Sequence, residues 1–324
     1  MRRTLFTAAV CTAIVGVIAP PAAYAGTTAY VTPGGYSTPP QGAAQEFRDL
    51  GAHVTLTLLA GETHYLNSVL YVGSAAQKTE VTQVAGCWPT GVTETLTNAL
   101  ALSEAGTNVD GGVPSVAQTS RFEFTPSLPG IYDCSLHAIF YNHTSKTDYG
   151  HIYVLTGSMI QDVAGPLAAH AQAYLPSRVL LTNNPTLGTP SADINLIASY
   201  SVPQDVTAID VISDFGSTNC YVAELQHLCP DGSDTTNSTF TSQLIVQQLN
   251  TEGNVCHTVS DSVLTSTVSP DTHHQKIYHR LNNFGIFNDC GSFNVMVHLH
   301  VAKVSGNDIQ IETANQSYSL LFEA

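Results

Sequence analysis

Histidine is the residue type in this chain best placed to do chemistry. There are 13 histidines against ten Lys and Arg together, and neutral imidazole is the commonest protein metal ligand. In Phe293-Asn-Val-Met-Val-His298-Leu-His300-Val-Ala-Lys303, apolar Val295, Val297, Leu299 and Val301 alternate with Met296, His298 and His300. Residues two apart on a strand point the same way, so His298 and His300 share one face, about 6–7 Å apart. Two imidazoles make an open site. A third ligand must come from a neighbouring strand, and His279 or His274 is the expected donor; His273, beside His274, would face the other way. The alternative reading of this face is a solvated sheet surface that uses His and Thr where other proteins use Lys.

Other reactive patterns are sparse. The sequence has no Gly-x-Ser-x-Gly, no His-Glu-x-x-His and no phosphate-cradling glycine loop. Asp110-Gly111-Gly112 and Asp231-Gly232-Ser233-Asp234 offer carboxylates to calcium, yet as turn sequences they need no ion. Ten Lys and Arg stand against 25 Asp and Glu, a net charge of −15. An acidic surface repels phosphate backbones and anionic lipid heads, which excludes nucleic acid and membrane surfaces as partners.

Residues 1–25 read as a secretory signal, with Arg2-Arg3, an apolar run over 5–19 and the small-x-small site Ala23-Tyr24-Ala25. No later segment approaches the 18 apolar residues of a membrane span. The mature chain, at −17 without Arg2 and Arg3, is therefore expected to be secreted, periplasmic or at the cell surface. Cys11 leaves with the signal and six cysteines remain. An even count in an exported chain implies disulfides, and six cysteines allow 15 connectivities.

The elements that must position these residues are strands. Charged residues make up only 11% of the chain, while Thr, Ser and Val are abundant, and β-branched residues fit a pleated surface. Alternation recurs at 53–59, 65–72, 79–84 and 121–157, and then through ten short segments between 178 and 322, with turn residues between them. This pattern predicts an all-β chain of two tandem, disulfide-stapled β-sandwiches of immunoglobulin-like or jelly-roll type. The expected layout is an extended Gly/Pro arm over 26–46, domains over 47–160 and 178–324, and a linker over 161–177. A short helix is predicted over 93–102 and a long loop over 105–117. Asn142, Asn237 and Asn315 head glycan-acceptor triplets.

Two resemblances bear on the stretch 121–157. Tyr132 lies two residues before Cys134, and this spacing resembles the tyrosine corner of immunoglobulin-like sandwiches. Gly130-Ile-Tyr-Asp-Cys134 is echoed by Gly285-Ile-Phe-Asn-Asp-Cys290. The echo implies a duplicated sandwich with Cys134 and Cys290 on equivalent strands and one long pair per half, Cys87–Cys134 and Cys256–Cys290, leaving Cys220–Cys229 as a local loop. Tyr132-x-Cys134-x-x-His137 also resembles the end of a cupredoxin. That resemblance implies copper held by Cys134, His137 and an upstream His53 or His64. The chain departs from it in having no Met or Gln over 138–143, and a disulfide-bonded sulfur could not serve as the thiolate.

The leading functional expectation is a non-enzymatic exported protein with an adhesion, ligand-binding or structural role at a cell surface. Its partner would be an extracellular protein, a glycan or a second copy of itself. The second expectation is a cupredoxin-like copper protein for electron transfer, and the third a jelly-roll enzyme with a histidine metal centre. No cofactor is expected under the first; copper or zinc would be the metal under the others.

Overall fold

The computed structural model describes residues 26–40, 46–74, 79–109, 115–142, 150–220, 236–270 and 274–324. The expected signal, the calcium candidates at Asp110 and Asp231, His273 and Cys229 lie outside the described residues. The chain is all-β, with two sandwiches in tandem.

The first half contains β1 (Thr28–Tyr30), β2 (Gly34–Thr38), β3 (Phe47–Leu58), β4 (His64–Ser74), β5 (Thr79–Pro89), β6 (Ala101–Val109), β7 (Val116–Phe124), β8 (Gly130–Asn142), β9 (Gly150–Val154) and β10 (Met159–Ala164). One sheet runs β1-β10-β4-β9-β2 with β7 on the free side of β4; the other runs β3-β8-β5-β6. Alternation does what it promised. Ala52, Val54, Leu56 and Leu58 of β3 turn inward and meet Leu66, Leu70, Phe122 and Ile152 of the facing sheet in one core.

The second half contains β11 (His170–Leu175), β12 (Val179–Leu181), β13 (Ser191–Ser201), β14 (Ala208–Asn219), β15 (Ser238–Leu249), β16 (Val255–Ser260), β17 (Leu264–Val268), β18 (His274–Gly285), a 3-10 turn at Asn288–Cys290, β19 (Asn294–Gly306), β20 (Ile309–Ile311) and β21 (Ala314–Glu323). Its sheets run β11-β21-β14-β20-β12, with β18 on β14, and β13-β19-β15-β16, with β17 on β15. Phe215 and Phe240 meet edge-on at 6.1 Å between them, among Leu299, Val301, Ile309 and Ile311.

Several local expectations change. The described part of the expected arm, 26–40, supplies β1, paired with β10, and β2, paired with β9. Residues 161–177 hold the end of β10 and all of β11, so only five residues separate the strands of the two halves. The predicted helix over 93–102 is a run of turns leading into β6. The Asn98 side chain accepts from the Thr95 N–H at 2.9 Å and donates to the Thr93 carbonyl at 2.7 Å; such local bonds replace helical ones. Most of the expected loop over 105–117 is the end of β6 and the start of β7.

Two disulfides are formed among the described residues, Cys87–Cys134 and Cys256–Cys290. Cys220 is disulfide-bonded as well. Tyr132 closes a tyrosine corner, its hydroxyl donating to the Leu128 carbonyl at 2.6 Å. The bridge differs from an immunoglobulin one. Cys87 and Cys134 are direct cross-strand neighbours in one sheet, with Cα atoms 4.0 Å apart, whereas an immunoglobulin bridge joins the two sheets. Cys134 lies inside β8 and Cys290 in the 3-10 turn after β18. The two cysteines are not structurally equivalent, and the sequence echo marks no repeat.

Candidate functional site

The two sandwiches meet along β7. This strand is hydrogen-bonded to β4 on one side only, and an edge strand leaves a row of N–H groups in need of partners. The second half supplies them as side chains. Thr119 N–H donates to the Tyr278 hydroxyl at 2.9 Å, Arg121 N–H to the Tyr318 hydroxyl at 2.8 Å, and Glu123 N–H to Gln172 Oε1 at 2.7 Å. Three alternate donors of one edge are thus capped by residues from β18, β21 and β11.

Behind this row sits a buried charged plug. The Arg121 guanidinium reaches Asp214 Oδ1 at 3.2 Å, and the Tyr318 hydroxyl donates to Asp214 Oδ2 at 2.9 Å. Lys276 donates to the carbonyls of Glu104 and Gln316, both at 2.7 Å, with its Nζ 4.5 Å from the Tyr318 ring centroid. Burial pushes the Asp214 carboxyl up while Arg121 and Lys276 pull it back. Burial also pushes Lys276 down to about 7, against the attraction of Asp214 and Glu104.

A cleft opens on either side of the plug. The larger, about 480 Å³, is lined by Thr107, Asn108, Gln118, His274, Gln275 and Tyr278. Asn108 Oδ1 accepts the His274 N–H at 3.3 Å, but Asn108 Nδ2 is buried with no partner among the described residues. His274 Nδ1 lies 2.9 Å from Thr218 Oγ1. The smaller cleft, about 300 Å³, is lined by Glu123, Phe124, Thr125, His170, Gln172 and Tyr174. Burial raises the Glu123 carboxyl, and its Oε1 has no hydrogen-bond partner among the described residues. His170 Nδ1 stands 3.7 Å from Glu123 Oε2. These walls offer amides, hydroxyls, a tyrosine ring in each cleft, some apolar surface and few exposed charges, a set suited to a neutral ligand.

The structure does not bring together the four histidines expected to share a metal. His298 and His300 do project from the outer face of β19, over buried Val295, Val297, Leu299 and Val301. There His300 Nδ1 bonds Asp193 at 2.7 Å, and burial lowers the pKa of His298. His279 is inside the sandwich, on the opposite sheet, held by Asp261 at 2.5 Å and Ser242 at 2.9 Å. His274 is at the larger cleft. The expectation failed because β18 joins the other sheet, and a single sequence cannot assign strands to sheets.

The copper reading is also corrected. Cys134 is in a disulfide and offers no thiolate. His64 lies on β4 of the facing sheet, where it bonds Asp162 at 3.0 Å, and burial pushes Asp162 up to about 7. His137 is buried against Phe47 and Trp88, with Nε2 2.6 Å from Glu94; desolvation lowers its pKa and Glu94 opposes the shift.

No protein-family model and no curated protein sequence matches this chain. Among solved structures it is similar to a chain of the infectious bursal disease virus Gt strain, with 8% identity over 94% of this chain and 74% of that one, TM-score 0.29. It is also similar to a chain of Broad Bean Stain Virus, with 9% identity over 91% and 88%, TM-score 0.29. PNGase F, a glycosylasparaginase from Flavobacterium meningosepticum, gives 9% identity over 90% and 96%, TM-score 0.34. Among the described residues, no helix is long and apolar enough to cross a membrane.

Proposed function

We propose that this chain is an exported, non-enzymatic binding protein that takes a hydroxyl-rich extracellular ligand, a glycan, in the larger cleft between its sandwiches. The observation that carries the reading is Asn108 Nδ2, a buried donor on a residue that lines the larger cleft, with nothing to bond among the described residues. An unmatched buried donor costs about 1–3 kcal/mol, and a ligand acceptor entering the cleft would recover that. Tyr278 presents a ring beside the amides and hydroxyls of Thr107, Asn108 and Gln275. An aromatic face with polar groups around it suits a sugar, whose ring has apolar faces and hydroxyl edges. The capped edge and the buried plug support a walled site that needs little ordering on binding, which favours affinity.

A glycan array probed with the mature chain tests this, compared with Asn108→Asp, which keeps the acceptor for His274 and removes the donor. At least one glycan class should bind, and the variant should bind it about tenfold more weakly, in line with one lost hydrogen bond. An empty array, or an unchanged profile in the variant, refutes the proposal.

A further inference from the structure

We propose that Asp49, His53 and Glu94 form a divalent-cation site of the zinc class on the outer face of the first sandwich, away from both clefts. Asp49 and His53 are four apart on β3, where regular extension would separate them by about 13 Å. They touch instead, with Asp49 Oδ2 3.0 Å from His53 Nε2. The cause is a bulge: the register of β3 on β8 shifts between Asp49 and Ala52, and Gly51 sits at φ +76°. A Cβ at Gly51 would meet nothing within 4 Å, so it is the left-handed backbone that favours glycine there. The Gly51 N–H donates to Asp49 Oδ1 at 2.7 Å and fixes the carboxylate. Bulges of this kind re-aim side chains beside functional sites.

Glu94 comes from the turns between β5 and β6 and places Oε1 3.8 Å from His53 Nδ1. One ligand atom from each of the three residues lies within 4.8 Å of the others. One imidazole and two carboxylates match the donors of borderline divalent ions, and three protein ligands leave a position for water. The ligands lie at the surface, with Asp49 and His53 side chains 48% and 35% exposed, so an ion has an entry path.

A second, independent observation points the same way. His137 is only 2% exposed, stacked on Phe47 at 4.2 Å, and its Nε2 is aimed at Glu94 Oε2. Its other nitrogen, Nδ1, is buried with no partner among the described residues. Ser135 Oγ donates to the same Glu94 oxygen at 2.8 Å. A buried imidazole with one nitrogen unsatisfied is a poor core residue. As a positioning residue that orients a ligating carboxylate it has the role that outer partners of metal ligands perform. The other cluster of similar composition, Cys256, His257, Asp289 and Cys290, spends both sulfurs in a disulfide.

The test is calorimetric titration of the EDTA-stripped, disulfide-intact mature chain with zinc chloride. One zinc per chain is expected. His53→Ala and Asp49→Asn, both at exposed positions, should each weaken binding at least tenfold, and His137→Phe by about tenfold, with thermal midpoints unchanged for the two exposed variants. The double change His298→Ala with His300→Ala should leave binding intact. No zinc uptake by the parent chain overturns the proposal. So does stoichiometric zinc retained by His53→Ala and Asp49→Asn, or loss of zinc only in the His298/His300 variant.

Discussion

Tyr318→Phe is the sharpest probe of how the two sandwiches hold together. The hydroxyl is fully buried, accepts the Arg121 N–H at 2.8 Å and donates to Asp214 Oδ2 at 2.9 Å. Removing it leaves a buried backbone donor unsatisfied, about 1–3 kcal/mol, and deletes a hydrogen bond to a charged acceptor, about 1.5–3 kcal/mol. Asp214 keeps its contact with Arg121 at 3.2 Å, so the second loss falls at the low end. The expected destabilisation is about 2–4 kcal/mol. Urea unfolding read by fluorescence and by circular dichroism measures it. The single tryptophan, Trp88, is buried in the first sandwich and reports that half, while dichroism reports both. With a urea slope of about 3 kcal/mol per molar for a chain of this size, the midpoint should fall by roughly 1 M. Tyr278→Phe, at a half-buried ring that caps only Thr119, should cost about 1 kcal/mol. A shift below about 0.5 kcal/mol for Tyr318→Phe would mean that water or a rearranged neighbour caps Arg121, and that the tyrosine hydroxyl does not hold the seam.

Two further outcomes follow from the same structure. The Lys276 pKa, held near 7 by burial, lies below its unfolded value, so the associated stability is present above about pH 10 and is lost as pH falls toward 7. Urea midpoints should therefore rise from pH 7 to 9.5 by the equivalent of about 2–4 kcal/mol, and Lys276→Met should flatten that rise; a flat parent profile counts against a desolvated lysine. The double change Cys87→Ala with Cys134→Ala opens a 47-residue loop. On the chain-entropy model it should cost about 4 kcal/mol, less any strain released, and an unchanged melting temperature would show that the cross-strand pair adds nothing to sheet pairing.

How much of this was legible depends on the range of the signal. Period-two alternation is local, and it placed β3, β8, β15 and β19 and the buried face of β19. The spacing of Tyr132 and Cys134, which resembles a tyrosine corner, placed that corner. Pairing across distance left no such trace. β1 and β2 carry Gly, Pro and scattered Tyr because edge strands borrow their order from β9 and β10, so their sequence read as an arm. Leu96, Ala99 and Leu100 suggested a helix, yet Leu96 and Leu100 are exposed and the amide of Asn98 decides the turn. The shared outer face of His298 and His300 was readable, but the sheet to which His279 belongs was not. Asp49 and His53 were invisible as a pair because only a bulge at Gly51 brings them into contact.

The seam illustrates why polar residues can sit at the centre of a junction between two apolar cores. A hydrophobic seam would bury area without fixing register, since apolar contact is non-directional. Here Tyr278, Tyr318 and Gln172 meet N–H groups spaced two residues apart on β7, so a slip of one residue would present them with the wrong side of the strand and leave all three donors open. The Arg121–Asp214 pair adds little net stability by itself, because desolvating both charges offsets their attraction. It does penalise every docking in which one partner is buried alone. β7 also contributes Val116, Ala117 and Gln118 to one cleft and Glu123 and Phe124 to the other. The same hydrogen bonds that set the register of the halves therefore set the width of both clefts, and Tyr318→Phe, which loosens the seam without touching a residue that lines either wall, should weaken the glycan binding proposed for the larger cleft.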